Sequence, residues 1–431
     1  MKKFLILTAA AVAVFASCAK TIDHTRNTGQ GDALSFGVYA GRSADTKATY
    51  GDITTANLSN SEDGFAVFAY YTKAADWTDS DKPDFMYNQQ VRNIASFAVE
   101  PAETNPSDYS TARFPSGWYY TPLKYWPNGQ NSTEYAANAT SADKISFFAY
   151  APHIASADLG TVPDTGEGIT NMSENDDAGV PSVDFTVPSK VEEQIDLLWA
   201  NPVLNATKQA LSGRVAFTFR HALAKLNIQV RNVVDDLTGT TGNLANDNGN
   251  NGDGILDDGE TWVILKELVL TANGTKSGTL GLGSGNTEPN WSNLSGSTNV
   301  TYGTNKSFDA ASYKENVAGQ DDIDGFKVTE TATDLNSASS PMIIPREIAA
   351  DGFVVKATYY VITRDSKLAT GYSIVENVIT KANADAITFA AGYKYNVVVN
   401  LGLNSVDFNV TEVTPWTAGD PQEVHLPQNA S

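Results

Sequence analysis

The stretch that most constrains the fold of this chain is residues 213–230, GRVAFTFRHALAKLNIQV. Its apolar residues recur at every second position in two runs, VAFTF and LNIQV, and the segment HALAK lies between them. A period of two is typical of a β-strand that buries one face. We therefore predict two strands joined by a helical turn or corner.

Short apolar segments of the same kind recur along the chain and are separated by Gly- and Asn-rich turns. They lie at residues 64–72, 85–91, 144–150, 183–187, 196–200, 262–271, 342–345, 352–363, 393–403 and 406–413. No long amphipathic helix is evident, and strands do not alternate regularly with helices. This pattern predicts an all-β fold of two tandem antiparallel β-sandwich domains, at residues 33–212 and 213–431. Residues 153–184, rich in Gly, Asp, Asn, Ser and Pro, are interpreted as a long surface loop.

The N-terminus has the composition of an export signal. Lys2 and Lys3 precede an apolar run at residues 4–16, and small residues precede Cys18, the only cysteine. The run is too short to span a bilayer. It resembles a bacterial lipoprotein signal, in which the peptide is removed and the new N-terminal Cys18 is acylated. An ordinary secretory signal with an incidental cysteine is the alternative. Residues 1–18 are the predicted signal and residues 19–32 a polar tether.

Composition narrows the possible partners and stabilising interactions. The chain has 431 residues, of which 41% are hydrophobic, enough to fill two cores. Fifty acidic and 29 basic residues give a formal charge of −21, which disfavours nucleic acid and anionic lipid as partners. With Cys18 acylated, no thiol remains for a disulfide, a cysteine-based zinc site or a nucleophile. Stability must therefore come from apolar burial.

The first predicted strand is ALSFGVYAG, at residues 33–41. One of its faces carries Leu34, Phe36, Val38 and Ala40. Two basic residues that a trypsin-like protease can cut, Arg42 and Lys47, follow the strand. Because the strand lies so near the N-terminus, its removal would leave the remaining fold uncut and would open a groove. The alternative is a permanent first strand followed by an exposed loop that is never cut.

A second candidate site is GNNGDGILDDGE, at residues 249–260, which resembles a calcium loop. The candidate oxygen ligands are Asn251, Asp253, Asp257 and Glu260. The first ligand position holds Gly249, and the flanking segments read as strands or coil rather than paired helices. A calcium site and a solvated acidic insertion therefore both remain open.

Catalytic motifs are not evident, and we predict neither enzymatic activity nor a catalytic residue. The chain contains no nucleophile elbow, phosphate-binding loop or HExxH motif. His221, in FRHALAK, is expected to have a hydrogen-bonded structural role. The aromatic run WYYTPLKYW, at residues 118–126, fits either a buried core segment or a sugar-binding platform.

Taken in chain order, these landmarks resemble the fimbrillin family, the lipoprotein-derived type V pilins of anaerobic Gram-negative bacteria. They begin with the Cys18 signal and the early strand with Arg42 and Lys47. They continue with KYWP at residues 124–127, ISFFAYAP at 145–152, DLLWA at 196–200, FRHALAKLNIQV at 219–230 and FAAGYKYNVVVNLGL at 389–403. Each motif is weak by itself, whereas the ordered set covers nearly the whole chain.

The resemblance implies two transthyretin-like β-sandwich domains and export to the outer membrane as a lipoprotein whose Cys18 carries palmitate. It also implies maturation by an extracellular, arginine-specific or trypsin-like protease. Cleavage releases the N-terminal strand, the groove accepts a strand from the next subunit, and head-to-tail repetition builds an adhesive fimbria (pilus). Arginine specificity favours cleavage at Arg42, and the spacing from the strand favours Lys47.

Several alternatives remain open from the sequence. Residues 406–413 are either the donor strand or an ordinary closing strand, and the tail fits a stalk or a tip subunit. A surface lipoprotein that binds glycan or a host protein without polymerising would keep residues 33–41 intact. A β-sandwich hydrolase would require two carboxylates paired across a cleft.

Overall fold

The computed structural model describes residues 34–39, 53, 55–93, 117–127, 143–208, 210–211, 214–234, 261–285, 288–303, 313–315, 323–335, 339–365, 367–369 and 372–415. In these ranges the helical segments are α1 (Thr55–Asn60) and two 3-10 helices, Ser156–Asp158 and Val191–Glu193. No helix of the described ranges has the length and hydropathy needed to cross a bilayer. Strands form nearly all of the remaining regular structure, which confirms the predicted all-β class.

The strands are numbered along the chain. The first eleven are β1 (Ser35–Tyr39), β2 (Phe65–Lys73), β3 (Met86–Asn93), β4 (Trp118–Tyr119), β5 (Lys144–Ala151), β6 (Gly168–Met172), β7 (Ser182–Thr186), β8 (Leu198–Ala200), β9 (Val203–Ala206), β10 (Arg214–His221) and β11 (Ala224–Asn232). The next twelve are β12 (Thr261–Gly281), β13 (Asn290–Gly303), β14 (Tyr313–Glu315), β15 (Ile323–Val328), β16 (Thr333–Asp334), β17 (Met342–Ile343), β18 (Arg346–Ile348), β19 (Phe353–Arg364), β20 (Tyr372–Ala382), β21 (Ile387–Phe389), β22 (Tyr393–Leu401) and β23 (Val406–Pro415).

Three large sheets contain most of these strands. The first has the order β1-β10-β8-β5-β2-β3-β4, with β9 paired to β5. The second has the order β16-β11-β22-β23, with β17 paired to β11. The third has the order β14-β15-β12-β19-β20, and β12 also pairs with β13 and with the β6–β7 hairpin. Strands β18 and β21 form a separate pair. Strand β1 therefore ends the first sheet, and β23 ends the second.

Three large clusters of buried apolar side chains hold the sheets together. The N-terminal core lies on one face of the first sheet and includes Phe65, Phe147 and Phe217. The middle core lies on the opposite face of that sheet, where Phe68 and Trp199 pack with residues of β6, β7, β12 and β17. The C-terminal core lies between the second and third sheets. Because alternate residues of β2 and β5 enter different cores, both faces of the first sheet are buried.

The alternation at residues 213–230 forms the two predicted strands. In β10, residues 214–219 alternate between exposed and buried, and β11 shows a similar period of two. Ala222 and Leu223 are both fully buried at the corner between the strands. Strand β10 pairs with β8 in the first sheet, whereas β11 pairs with β22 in the second. The corner thus transfers the chain between sheets, and β10 pairs with strands that precede residue 213. The domain ranges remain a prediction.

The interpretation of residues 153–184 as a surface loop is wrong. Strands β6 and β7 pair within this segment, and β7 continues antiparallel along β12, with Thr186 opposite Ser277 and Ser182 opposite Gly281. Ile169 and Phe185 are nearly fully buried in the middle core. The turn-forming residues between the strands dominate the composition and conceal two short apolar strands that are buried by tertiary packing.

Candidate functional site

The candidate site is the edge of the first sheet where β1 lies. Strand β1 runs parallel to β10 over five residue pairs, from Ser35 opposite Arg214 to Tyr39 opposite Thr218. At the start of β1 the backbone is also bonded to a different segment. The amide of Leu34 donates to the carbonyl oxygen of Lys124 at 3.0 Å. The hydroxyl of Tyr120 donates to the carbonyl oxygen of Leu34 at 2.9 Å.

The side chain of Phe36 fills a pocket in the N-terminal core and is 0% exposed. Its ring centroid lies 5.3 Å from that of Tyr120 in an edge-to-face arrangement, and 6.0 Å from that of Phe217 in a stacked one. The rings of Phe65 and Phe147 each lie 6.2 Å away, edge to face. Such aromatic contacts stabilise beyond the area they bury. We call this four-ring environment the Phe36 pocket.

The side chains on either side of Phe36 differ in depth. Leu34, which directly precedes β1, is 0% exposed in the N-terminal core, and Val38 is half-buried against it. Gly37 is buried, and the Arg214 guanidinium lies over it: a Cβ at Gly37 would be 2.4 Å from Nη2 of Arg214. The segment 34–38 therefore contributes two fully buried apolar side chains, and its one glycine lies beneath the Arg214 guanidinium.

The aromatic run at residues 118–126 forms part of this core. Trp118, Tyr119, Tyr120 and Trp126 are all at most 6% exposed. This burial supports the core interpretation and excludes these four rings as a surface platform for sugars. Tyr120 also binds within its own loop, because the carbonyl oxygen of Lys124 lies 3.0 Å from its hydroxyl and the Lys124 amide donates to that hydroxyl at 3.3 Å.

A buried carboxylate is hydrogen-bonded to Ile53, the first residue after β1 that the structure describes. The Asp196 carboxylate is 0% exposed, and its Oδ2 accepts a hydrogen bond from the Ile53 amide at 2.7 Å. The same oxygen lies 2.9 Å from Nδ1 of His221, which is 9% exposed. His221 thus has the hydrogen-bonded position expected of a structural histidine. Ile53 follows the two candidate cleavage residues, so the bond fixes the chain downstream of them.

Another histidine, His153, lies near the start of β2. The backbone amide of His153 donates to the carbonyl oxygen of Gly64 at 3.2 Å. Desolvation by burial lowers the pKa of the His153 side chain to about 4, since a charged imidazolium is disfavoured away from water. His153 is therefore neutral at pH 7.

The C-terminal edge strand β23 pairs antiparallel with β22, from Val406 opposite Leu401 to Pro415 opposite Tyr393. Val406 is buried, while Phe408 and Val410 are half-buried against the C-terminal core. The ring centroid of Phe408 lies 5.5 Å from that of Phe353. The strand thus closes the second sheet in this chain.

Eight of the predicted site residues fall in parts of the chain that the structure does not describe. These are Cys18, Ala40, Arg42, Lys47, Asn251, Asp253, Asp257 and Glu260. Across the described ranges, no group of three or more His, Cys, Asp or Glu side chains is arranged to hold a metal ion. The lipidation, cleavage and calcium assignments remain predictions.

Sequence reasoning missed the residues that contact β1 from other strands and loops. Tyr120, Lys124 and Arg214 are far from β1 in sequence. The pairing of β1 with β10 brings Arg214 to the strand, and hydrogen bonds to Leu34 bring Tyr120 and Lys124. The aromatic density at residues 118–126 is the one local signal that could have identified Tyr120. Asp196 carries no such signal, because carboxylates are abundant throughout this acidic chain.

Comparisons with known proteins agree with this architecture. The sequence model of the family described as fimbrillin-like matches residues 46–416. The fimbrium subunit Fim1C of Phocaeicola vulgatus is 30% identical over 192 residues, which are 42% of this chain and 41% of that protein. The match thus spans less than half the length of that relative. The crystal structure of a fimbrial protein from Bacteroides vulgatus ATCC 8482 covers 89% of this chain and 99% of its own, with a TM-score of 0.57 and 20% identity, a likeness of fold.

Proposed function

Because the chain belongs to the fimbrillin-like family, we propose that it is a structural subunit of a cell-surface fimbria with a role in adhesion. It assembles head to tail with other fimbrial subunits by exchange of an edge strand. The observation that carries this proposal is the position of β1, an edge strand whose Leu34 and Phe36 complete the N-terminal core. A relative named a fimbrium subunit supports the same assignment.

In the proposed maturation, the chain is exported as a lipoprotein acylated at Cys18 and reaches the outer membrane through that anchor. An extracellular arginine-specific or trypsin-like protease then cuts after Arg42 or Lys47. Cleavage separates β1 from the rest of the chain, while the bond from the Ile53 amide to Asp196 holds the new N-terminal region in place. The mature subunit then enters the extracellular fimbrium.

The energetics of β1 favour replacement over simple loss. Burial of Leu34, Phe36 and Val38 contributes on the order of 5 to 8 kcal/mol as an upper estimate. That is a large fraction of the stability of an ordinary domain. An incoming strand would restore both the apolar contacts and the hydrogen bonds along β10. Since donor and acceptor surfaces differ, the contact is heterologous and can repeat without closing into a ring.

The donor in this proposal is the C-terminal strand β23 of a neighbouring copy. Its sequence from Val406 to Val410, VDFNV, repeats the spacing of LSFGV in residues 34–38, with Phe at the centre of each. As an edge strand, β23 has one neighbour in its sheet and can leave without separating two other strands.

The test is limited digestion of the purified full chain with an arginine-specific protease, with trypsin in parallel. We expect a new N-terminus at Ser43 or Ala48, followed by a ladder of oligomers on a gel. Arg42→Ala and Lys47→Ala, made singly and together, are matched controls that identify the cleaved bond and should abolish the ladder when cleavage is lost. A cleaved chain that stays monomeric, or an uncut monomer that binds glycan, would contradict assembly by strand exchange.

Assembly as proposed needs no cofactor. The calcium loop at residues 249–260 is therefore a separate prediction, tested by isothermal titration of the full chain with calcium. Binding that is lost in Asp253→Asn with Asp257→Asn would support a site, and no heat at millimolar calcium would favour the solvated acidic insertion.

A further inference from the structure

The Phe36 pocket encloses one side chain of β1 in aromatic rings. Four rings surround Phe36, and they come from β2, β5, β10 and the segment after β4. Leu34, two residues earlier, is equally buried in the same core but is aliphatic. The four rings therefore favour a planar aromatic side chain at the position of Phe36.

The backbone two residues before that position is bound independently of β10. Both polar groups of Leu34 are bonded to the 120–124 segment, its amide to Lys124 and its carbonyl oxygen to Tyr120. Tyr120 thus contacts the strand twice, with its hydroxyl at residue 34 and with its ring at residue 36. A strand shifted by one residue would present its polar face to the core, and a shift by two would move its aromatic ring out of the pocket.

On the basis of the proposed function, we propose that this groove selects its incoming strand by one aromatic side chain, and that Tyr120 sets the register of the strand. The strand of a second copy that meets this requirement is VDFNV, with Phe408 in the place of Phe36 and Val406 in the place of Leu34. The Tyr120 hydroxyl can also donate to the backbone carbonyl oxygen of Lys124, so it keeps an acceptor while the groove is empty.

The inference is tested with fluorescent peptides and the full chain after protease cleavage. The probes are residues 33–41, ALSFGVYAG, and residues 404–414, NSVDFNVTEVT. Each has a matched isomer of identical composition in which Phe exchanges places with the apolar residue two positions earlier, AFSLGVYAG and NSFDVNVTEVT. Each also has a variant with Ala in place of Phe. Binding is measured by fluorescence anisotropy.

We expect both parent peptides to bind saturably, the isomers to bind at least about tenfold more weakly, and the Ala variants about 100-fold more weakly. Tyr120→Phe keeps the ring and removes the hydroxyl. In that variant we expect parent binding to weaken about fivefold and discrimination against the isomers to shrink. A purely structural role for the hydroxyl would leave the parent-to-isomer ratio unchanged.

The outcomes separate this inference from the proposed function. Isomers that bind within threefold of the parents would overturn selection by one aromatic position, even where digestion produces ladders. An unchanged ratio in Tyr120→Phe would overturn the role of Tyr120 in register. Failure of the 404–414 peptide alone would overturn Phe408 as the occupant. If the peptides discriminate as expected but the cleaved chain never polymerises, selectivity stands and the assembly proposal is wrong.

Discussion

The two edge strands β1 and β23 are held in their sheets in different ways. Strand β1 has a parallel ladder of only five residue pairs, but its Phe36 and the preceding Leu34 lie fully inside the N-terminal core. Strand β23 has a longer antiparallel ladder, and of its alternate apolar side chains Val406 is buried while Phe408 and Val410 are only half-buried. Buried side chains therefore contribute more to the anchoring of β1, and the main-chain ladder contributes more to that of β23. A short strand anchored by side chains can be replaced by any strand that brings the same side chains.

The largest expected difference between the strands is in the cost of removing the central ring. We expect Phe36→Ala to lower the free energy of unfolding by about 3 to 5 kcal/mol, because it empties a fully enclosed pocket. The matched substitution Phe408→Ala should cost about 1 to 2 kcal/mol, since part of that ring is already in water. Urea denaturation of the uncut chain measures both values. Equal costs would contradict the distinction between anchoring by side chains and by main chain.

The second prediction concerns where the chain is held after β1. Asp196→Asn keeps the shape of the side chain but turns one of its two acceptor oxygens into a donor. The new NH2 group faces Nδ1 of His221 in either orientation of the amide, and in one orientation it faces the Ile53 amide as well. The neutral oxygen that remains is a weaker acceptor than a carboxylate, so we expect a loss of about 1 to 3 kcal/mol.

Cleavage distinguishes this effect from a general loss of stability. Because residues 48–72 contain no Lys or Arg, the probe is a protease of broad specificity such as proteinase K. In Asp196→Asn, its digestion at pH 7 should proceed further toward position 53 than in the wild-type chain, whereas Phe408→Ala should leave the wild-type end point unchanged. Mass spectrometry of the products reads the end point. Identical N-termini in all three proteins would show that the Asp196 bond does not fix this part of the chain.

The contrast between the edge strands also explains what the sequence could and could not predict. Alternation in LSFGV and VDFNV predicts both strands, because a period of two is a local property. The depth of Phe36 and the shallower position of Phe408 depend on which residues meet across the fold. Tyr120 and Phe217 are far from Phe36 in sequence, and no local pattern specifies their contact.

The β6–β7 hairpin could not be predicted from the sequence for the same reason. Its strands are short, the segment between them is rich in turn-forming residues, and Ile169 is buried only because β7 joins the third sheet through β12. Local composition therefore predicts a loop, and tertiary packing overrides it. Regular alternation over many residues, as in β10 and β11, was predictable because the pattern itself requires one buried face.

The third prediction uses pH to weaken the sheet that contains β1. Burial lowers the pKa of His153 from 6.5 to about 4, so protonation disfavours the folded state. The stability that neutral His153 provides is fully present above pH 6.5 and is lost as the pH falls toward 4. At pH 5 the expected loss is about 1 to 2 kcal/mol.

Urea midpoints at pH 7 and pH 5 measure this loss, and His153→Gln is the matched variant because it keeps a polar side chain that does not titrate. The wild-type chain should lose more stability than His153→Gln between these two values. The labelled 33–41 peptide should also exchange faster into the cleaved wild-type chain at pH 5 than at pH 7. Equal pH dependence of the two proteins would rule out a contribution from His153.

The smallest expected effect concerns the residue that follows the central ring. In β1 this residue is Gly37, where an added Cβ would lie 2.4 Å from Nη2 and 2.6 Å from Nε of Arg214. In β23 the matching residue is Asn409, which is exposed. The guanidinium of Arg214 is the end of a flexible, exposed side chain and can move aside. Gly37→Ala should therefore cost less than about 1 kcal/mol in the wild-type background.

A double-mutant cycle isolates that contact. In an Arg214→Ala background the space above Gly37 is open, and Gly37→Ala should then stabilise the chain by about 0.4 to 1 kcal/mol, because alanine lowers the entropy of the unfolded chain. Urea denaturation of the four proteins measures the coupling. A non-zero coupling would show that Arg214 limits the size of the residue following the aromatic one. Zero coupling would mean that Arg214 does not limit an added Cβ at this position, which leaves the aromatic position as the stricter requirement on an incoming strand.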